Sequence, residues 1–345
     1  MNQETDHTAL IKQAEEAIGF STSSDYEIQP TKFAEHMATD APTLSALLKN
    51  QALTETARRY ERDDQRARDE QAQFKRLSSQ ATWAVFAATV SAASVALFSA
   101  GSKEVADGVQ LIPLCLGIIS LVGGAWAALV LNRLSGGRIL ERWMEARAAA
   151  ESDRLGYFNR LVRLVNEEHP QDPQLQLLCL EFFRRYQLTI QQRYYEGRGE
   201  QHRHSFLKTI KLSSAAAFIL ALGSGGIAIL GAFQADLLQY AVVGILGTAL
   251  ATVASRREEL NQDERNSERY RRTANLLSHI RERHSEVQMA VATGEAAVLA
   301  QYVAAVHEQL SLEHRQWLSE TEEMDETIKS LSASLKKIKQ QKPRH

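Results

Sequence analysis

Cysteine is nearly absent from this chain, with two in 345 residues. Cys115 lies in an apolar run and Cys179 in an amphipathic stretch. Two isolated thiols build neither a disulfide framework nor a thiolate metal site, and they fit a reducing compartment. Proline is scarce too, and no alternating apolar–polar run of useful length occurs, which argues against a sheet and for long helices. The first residues, MNQETDHTALIKQAEE, hold no apolar h-region, so no signal peptide is expected.

The usual marks of catalysis are missing as well. There is no Walker A motif, no G-x-S-x-G and no C-x-x-C. LGSGGIAILG has glycines without the lysine that would meet a phosphate, and close helix packing accounts for it. His307 and His314 are too far apart in sequence to share a metal in the manner of a zincin helix. His202 and His204 would point to different sides of a helix. The sequence therefore predicts no enzymatic activity, no catalytic residues, no cofactor and no metal. The arginine clusters are explained by membrane orientation and lipid headgroups, so no nucleic-acid partner is expected.

What the chain does have is uneven hydropathy. A mean hydropathy of −0.30 hides four uncharged apolar runs in a strongly charged majority. They are residues 82–100, 111–131, 212–233 and 237–254, and none contains Asp, Glu, Lys, Arg or His. Runs of about 20 apolar residues match the roughly 30 Å of hydrocarbon that a helix must cross. The connectors GSKEVADGVQ and QAD are short, which predicts two helical hairpins. Basic residues flank the outer sides of both pairs (Lys75, Arg76, Arg133, Arg138, Lys208, Lys211, Arg256, Arg257), whereas the connectors hold only Lys103. The positive-inside rule then places both termini and the polar segments in the cytoplasm. Trp83 and Tyr240 are candidate interface anchors or core residues.

The spans carry no ionisable group of the kind that marks an ion relay. They carry small and hydroxyl residues at helical spacing instead. Ala217, Ala221, Ser224 and Ala228 form one ridge, and Tyr240, Gly244, Thr248 and Thr252 another. Such ridges allow close helix approach and hydrogen bonds across it. Two readings stand: a pore or self-assembly face, and ordinary packing of the four spans.

The polar remainder reads as long helices. Leu140, Trp143, Ala150, Phe158, Leu161 and Val165 recur at helical spacing, and His169-Pro170 ends that helix. Asp172 is a predicted N-cap with Pro173 at the first helical position. Phe182, Phe183 and Tyr186 read as core. A weak point is expected at Gly197 and Gly199. Residues 7–19 suggest a short helix, Asp40-Ala-Pro42 a helix start running on through ARRYERDD, and SRREELNQDERNSERYRRTANLLSHIRERH one charged helix. In the tail, Met324, Ile328, Leu331, Leu335 and Ile338 form a heptad seam, and six basic residues accompany it. It suits a partner helix, an anionic leaflet or plain solvation.

The chain also repeats itself. YERDDQRARDEQAQFKRLSS (60–79) and YEGRGEQHRHSFLKTIKLSS (195–214) align without a gap, identical at six of 20 positions, and each runs into an apolar span. The pattern is two copies of a charged incoming helix, a hairpin and a charged outgoing helix. These residues resemble the SLATT domains, the SMODS- and SLOG-associating two-transmembrane effector domains of bacterial conflict systems. The resemblance rests on Arg58-Arg59-Tyr60-Glu61, Trp143, Arg147, Ala148 to Ala150 and Glu151 in the first copy. In the second it rests on Arg193-Tyr194-Tyr195-Glu196, Tyr270-Arg271-Arg272, Glu308, Glu313 and Trp317. The second copy lacks a Trp in its outgoing helix.

The expected organisation is a polar segment (1–40), a first SLATT-like unit (41–168), a second (169–320) and a basic helical tail (321–345). The expected fold is an all-α integral membrane protein with four transmembrane helices in two hairpins and long cytoplasmic helices. The resemblance implies a membrane effector of an anti-phage system in the bacterial inner membrane. It would form homo-oligomers, be triggered by a sensor or nucleotide-second-messenger system, and form pores that arrest or kill the cell. A non-conducting scaffold for a cytoplasmic partner and a housekeeping channel are the alternatives.

Overall fold

The computed structural model describes residues 2–22, 25, 27–101, 111–226, 229 and 243–340. All regular structure among them is helical. The chain order is α1 (Asn2–Ile18), α2 (Pro30–His36), α3 (Pro42–Leu48), α4 (Gln51–Gly101), α5 (Leu111–Gly136), α6 (Ile139–Glu168) and α7 (Pro173–Phe183). A π-helical turn, Arg184–Leu188, leads into α8 (Thr189–Leu220), and a second, Ala221–Gly226, follows it. Then come α9 (Val243–Asn261), α10 (Asp263–Glu282), α11 (His284–Ala292) and α12 (Ala296–Gln340). The connectors GSKEVADGVQ (beyond Gly101) and QAD lie outside the described residues.

Local chemistry sets the boundaries. Proline opens α2, α3 and α7, where its missing N–H costs nothing. Asp172 caps α7, accepting from the Leu175 amide at 3.0 Å. The helix expected to run unbroken from Pro42 instead breaks at Lys49-Asn50. Asn50 Oδ1 takes the Ala52 amide at 2.9 Å and starts α4 afresh. The charged helix after the fourth apolar run also breaks. Gln262 adopts φ 47°, with Glu258 bonding the Gln262 amide through its carbonyl and the Glu264 amide through its carboxylate. No weak point falls at Gly197 or Gly199, because α8 runs through both. The irregularity lies upstream, in the π turn at Arg184–Leu188.

The chain divides into two compact units, and each takes residues from both copies of the repeat. The first comprises Met1–Asp69, Glu141–Glu200 and Ser267–Ser319. Its core is aromatic around α7: Phe33, Phe158, Phe182 and Phe183 are buried, and the Phe182 and Tyr186 rings lie 4.7 Å apart. The first 40 residues add Ala14, Ile18, Phe33 and Met37 to this core. Within the unit α4 packs antiparallel on α6: Arg59 pairs with Asp153 at 3.0 Å, and further along α4 Asp64 meets Arg147, earlier on α6, at 3.5 Å. The second copy repeats this. On α8 and α10, Tyr195 faces Tyr270, and Gly199 O accepts from Ser267 Oγ at 3.1 Å.

The second unit comprises Glu70–Leu140, Gln201–Asn266 and Glu320–His345. Among the described residues, two helical stretches, Leu111–Glu168 and Pro173–Gly223, are long and apolar enough to cross a membrane, with mean hydropathies of 2.3 and 1.5 over their most apolar parts. Helix α5 is apolar on every side, and Leu114, Ile118, Leu121, Val122, Trp126 and Leu129 are all exposed. α4 and α5 touch where Gly123 faces Ala84 and Ala88. α8 and α9 touch at Gly247, where an added Cβ would stand 2.5 Å from the Leu220 amide nitrogen and 2.7 Å from the Ala216 carbonyl. No side chain fits between two backbones that close. Gly247→Ala is therefore expected to lower stability by at least about 1–3 kcal/mol in detergent thermal unfolding. Gly124→Ala, with open space around its α-carbon, should be neutral or gain up to about 1 kcal/mol.

Candidate functional site

In the first unit, residues from both copies of the repeat converge on one buried polar cluster. α4 supplies Tyr60 and Asp64, α6 Arg147, Glu151 and Arg154, α8 Tyr195, α10 Arg269, and α12 Glu313 and His314. Helical spacing puts them there. Tyr60 and Asp64 are four apart, and Arg147, Glu151 and Arg154 follow at steps of four and three, so each set lines one face.

The contacts form two linked groups. Arg147 reaches Glu151 at 2.6 Å and Asp64 at 3.5 Å. Arg68 also binds the Asp64 carboxylate. Arg154, 2% exposed, donates to the Tyr60 hydroxyl at 2.9 Å and stands 3.9 Å from Glu151. In the other group Tyr195 donates to Glu313 Oε2 at 2.8 Å, while Arg269 Nε lies 3.3 Å from Glu313 Oε1. The Tyr195 and Tyr270 rings wall that side, with the Arg269 guanidinium 5.2 Å from the Tyr270 centroid. His314 stacks on Trp317, which also meets Trp143 edge-on.

The two carboxylates differ in character. Burial pushes the Glu313 carboxyl above its ordinary range, and Arg269 and the Tyr195 hydrogen bond offset this only in part. Burial acts the same way on Glu151, but Arg147 and Arg154 outweigh it and hold that carboxyl below its ordinary range. Burial also drives the His314 imidazole down and the Tyr195 phenol well up. Neighbouring acids set apart by environment are a common sign of a working site.

Of the residues that carry the family resemblance, the cluster gathers Tyr60, Trp143, Arg147, Glu151, Tyr195, Glu313 and Trp317. Asp64, Arg154, Arg269 and His314 are further members; the available signal was the step of four from Tyr60 to Asp64 and of seven from Arg147 to Arg154, and Arg269 and His314 carried none. The span residues fall elsewhere, in the second unit. Ala217 and Ala221 are exposed, and the buried neighbours on their helix are Ala216 and Gly223. Gly244 is buried, whereas Thr248 and Thr252 are exposed and donate to the carbonyls of Gly244 (3.2 Å) and Thr248 (2.9 Å) on their own helix. The Ser224 side chain, Ala228 and Tyr240 lie outside the described residues, as do the side chains of the tail seam, Met324, Ile328, Leu331, Leu335 and Ile338.

The other histidines have structural partners. His202 Nδ1 lies 2.7 Å from Asp263 Oδ1. His307 Nδ1 donates to Asn159 Oδ1 at 2.8 Å beside the Phe183 ring, leaving Nε2 buried without a partner. Among the described residues no group of three His, Cys, Asp or Glu side chains is placed to hold a metal ion. No family model, curated protein or solved structure matches this chain.

Two predictions follow from the buried charges. Arg269→Met strands the Glu313 carboxylate and should cost about 3–5 kcal/mol in chemical denaturation, most of which the double variant R269M/E313M should restore. The second concerns His307, whose imidazole burial pushes down to about 4 from 6.5. Its neutral form belongs to the folded state, so its contribution is full above pH 6.5 and is lost as pH falls toward 4. At about 1.4 kcal/mol per pH unit this amounts to about 3 kcal/mol. His307→Gln keeps a donor for Asn159 and should lose correspondingly less stability than the wild type between pH 7 and pH 4.

Proposed function

We propose that this chain is a non-enzymatic effector of the bacterial inner membrane, built as a tandem pair of SLATT-like units. Its four apolar runs cross the bilayer as two hairpins, and both termini and the first compact unit lie in the cytoplasm. On an activating signal from a sensor or second-messenger system it oligomerises and permeabilises the membrane, arresting or killing the cell.

The observation that carries this reading is the exposure of α5. It has 26 residues, about 39 Å at 1.5 Å per residue, more than the roughly 30 Å of hydrocarbon. Within five residues, Ile118, Ile119, Leu121 and Val122 are all exposed, at 48% to 70%. In water so wide an apolar surface would drive aggregation, and in lipid it is solvated. Phe218 and Leu222 extend the same character to the end of α8 and the turn after it. The basic residues outside both hairpins support the orientation. The polar cluster supports the effector part, because it joins both copies through charges whose balance a bound partner or ligand would shift.

One observation favours a non-conducting scaffold as the second reading. Thr248 and Thr252 spend their hydroxyl protons on their own helix, so they offer lipid a sealed surface and need no aqueous lumen. Purified protein reconstituted into dye-loaded liposomes separates the readings. Leakage, with or without cyclic nucleotides, together with growth arrest on overexpression, is the expected result. Stable insertion without leakage and without toxicity would select the scaffold. Failure to float with the vesicles would sink the membrane reading itself.

A further inference from the structure

The π turn at Arg184–Leu188 is gripped by a distant part of the chain. Helix α1 ends at Ile18, and Gly19, with φ 70°, turns the chain while its amide bonds Glu15 O at 2.7 Å. Three carbonyls around this bend are taken up by three arginines. Arg185 Nη1 donates to Ile18 O, Arg184 Nη2 to Gly19 O at 3.4 Å, and Arg193 Nη1 to Ser21 O at 3.2 Å. Arg185 also holds the Asp25 carboxylate through Nε at 3.0 Å and Nη2 at 3.5 Å. Thr22 fixes that carboxylate with its amide and hydroxyl, at 2.8 and 3.0 Å. Asp25 and Arg185 are each 7% exposed, so neither has water as a ready substitute for the other.

A π turn holds one more residue than the α-helix it interrupts, and such turns persist where surrounding contacts compensate for them. Arg184 and Arg185 are consecutive and both lie in this turn. If the turn relaxed to α-helix, the residues of α8 that follow it in the first unit would advance by one position. Residue 194 would then occupy the place now held by Tyr195 against Glu313. Residue 194 is also a tyrosine. Arg198 would likewise arrive where Gly199 now sits, a position with room for a Cβ at 3.5 Å from its nearest neighbour.

We infer that the segment Ile18–Thr22, with Asp25, is a strap that keys the π turn and so selects which of two adjacent tyrosines bonds Glu313. Strap on, Tyr195 donates to Glu313. Strap off, the turn relaxes, α8 shifts by one residue, and Tyr194 takes over. The buried carboxylate is satisfied in both registers, which makes two discrete states accessible to one helix. The inference concerns the first compact unit alone and holds whether or not the protein opens a pore.

Hydrogen–deuterium exchange of the 190–200 amides in the purified full-length chain tests it. With Asp25 intact, Tyr195→Phe should raise exchange about tenfold, the loss of one hydrogen bond to a charged group, while Tyr194→Phe changes it less than about twofold. In the Asp25→Ala background the order should reverse, with Tyr194→Phe becoming the sensitive change. Deleting Gln187 removes the extra residue from the turn and should restore the original order even with Asp25→Ala. The same order in both backgrounds, or no sensitivity to either tyrosine once Asp25 is replaced, would overturn the strap. If Asp25→Ala does not fold, Asp25→Asn, which keeps the shape and removes the charge, serves in its place with the same criteria.

Discussion

The buried Glu313 carboxylate is the constraint around which the helices of the first unit are arranged. A charge taken out of water is tolerable only with partners close on several sides. Glu313 has Tyr195 at 2.8 Å and Arg269 at 3.3 Å, so α8, α10 and α12 must meet at one place and in one rotational setting. Glu151 imposes the same demand on α4 and α6 through Arg147, Arg154 and their partners Asp64 and Tyr60. An apolar core of these helices would tolerate sliding by a turn. Opposed charges at fixed spacing do not, and register is what they supply.

That register was partly legible in the sequence. In α4 a buried residue recurs every seventh position: Tyr60, Ala67, Phe74 and Ala81. The aligned positions of α8 are Tyr195, His202, Thr209 and Ala216, and all but the half-buried His202 are buried. The repeat in the letters is thus a repeat of the packed face, and the heptad step is why it survives while the residues change from aromatic to small. The motif residues Arg147, Glu151, Tyr195 and Glu313 could be singled out one by one. Their convergence could not, because it depends on which helices neighbour each other, and the periodicity of one helix carries nothing about that.

The sequence was least informative where the backbone departs from α geometry. Gly197 and Gly199 looked like a weak point by propensity. Packing overrode propensity there, with the Gly199 carbonyl held by Ser267 Oγ of α10 at 3.1 Å. The real irregularity, RRYQL, is made of ordinary helix formers. Its cause is remote: Arg185 is held by Asp25 and Ile18, some 160 residues away in the chain. A signal that distant leaves no local trace, which is also why the first 40 residues read as a polar segment rather than as part of the core.

The two units solve the problem of burial in opposite ways. In the first, large aromatic and aliphatic side chains are driven inward, and charges go inside only when paired. In the second, large apolar side chains of α5 point outward, and the helices meet through the smallest residues, Gly123 on Ala84 and Gly247 on Ala216 and Leu220. Small residues at contacts with large ones outside reverse the pattern of a water-soluble bundle. The reversal matches the pattern of helices in lipid, where no hydrophobic drive acts between helices and close backbone packing is the main attraction, and it is the physical ground of the membrane reading proposed above.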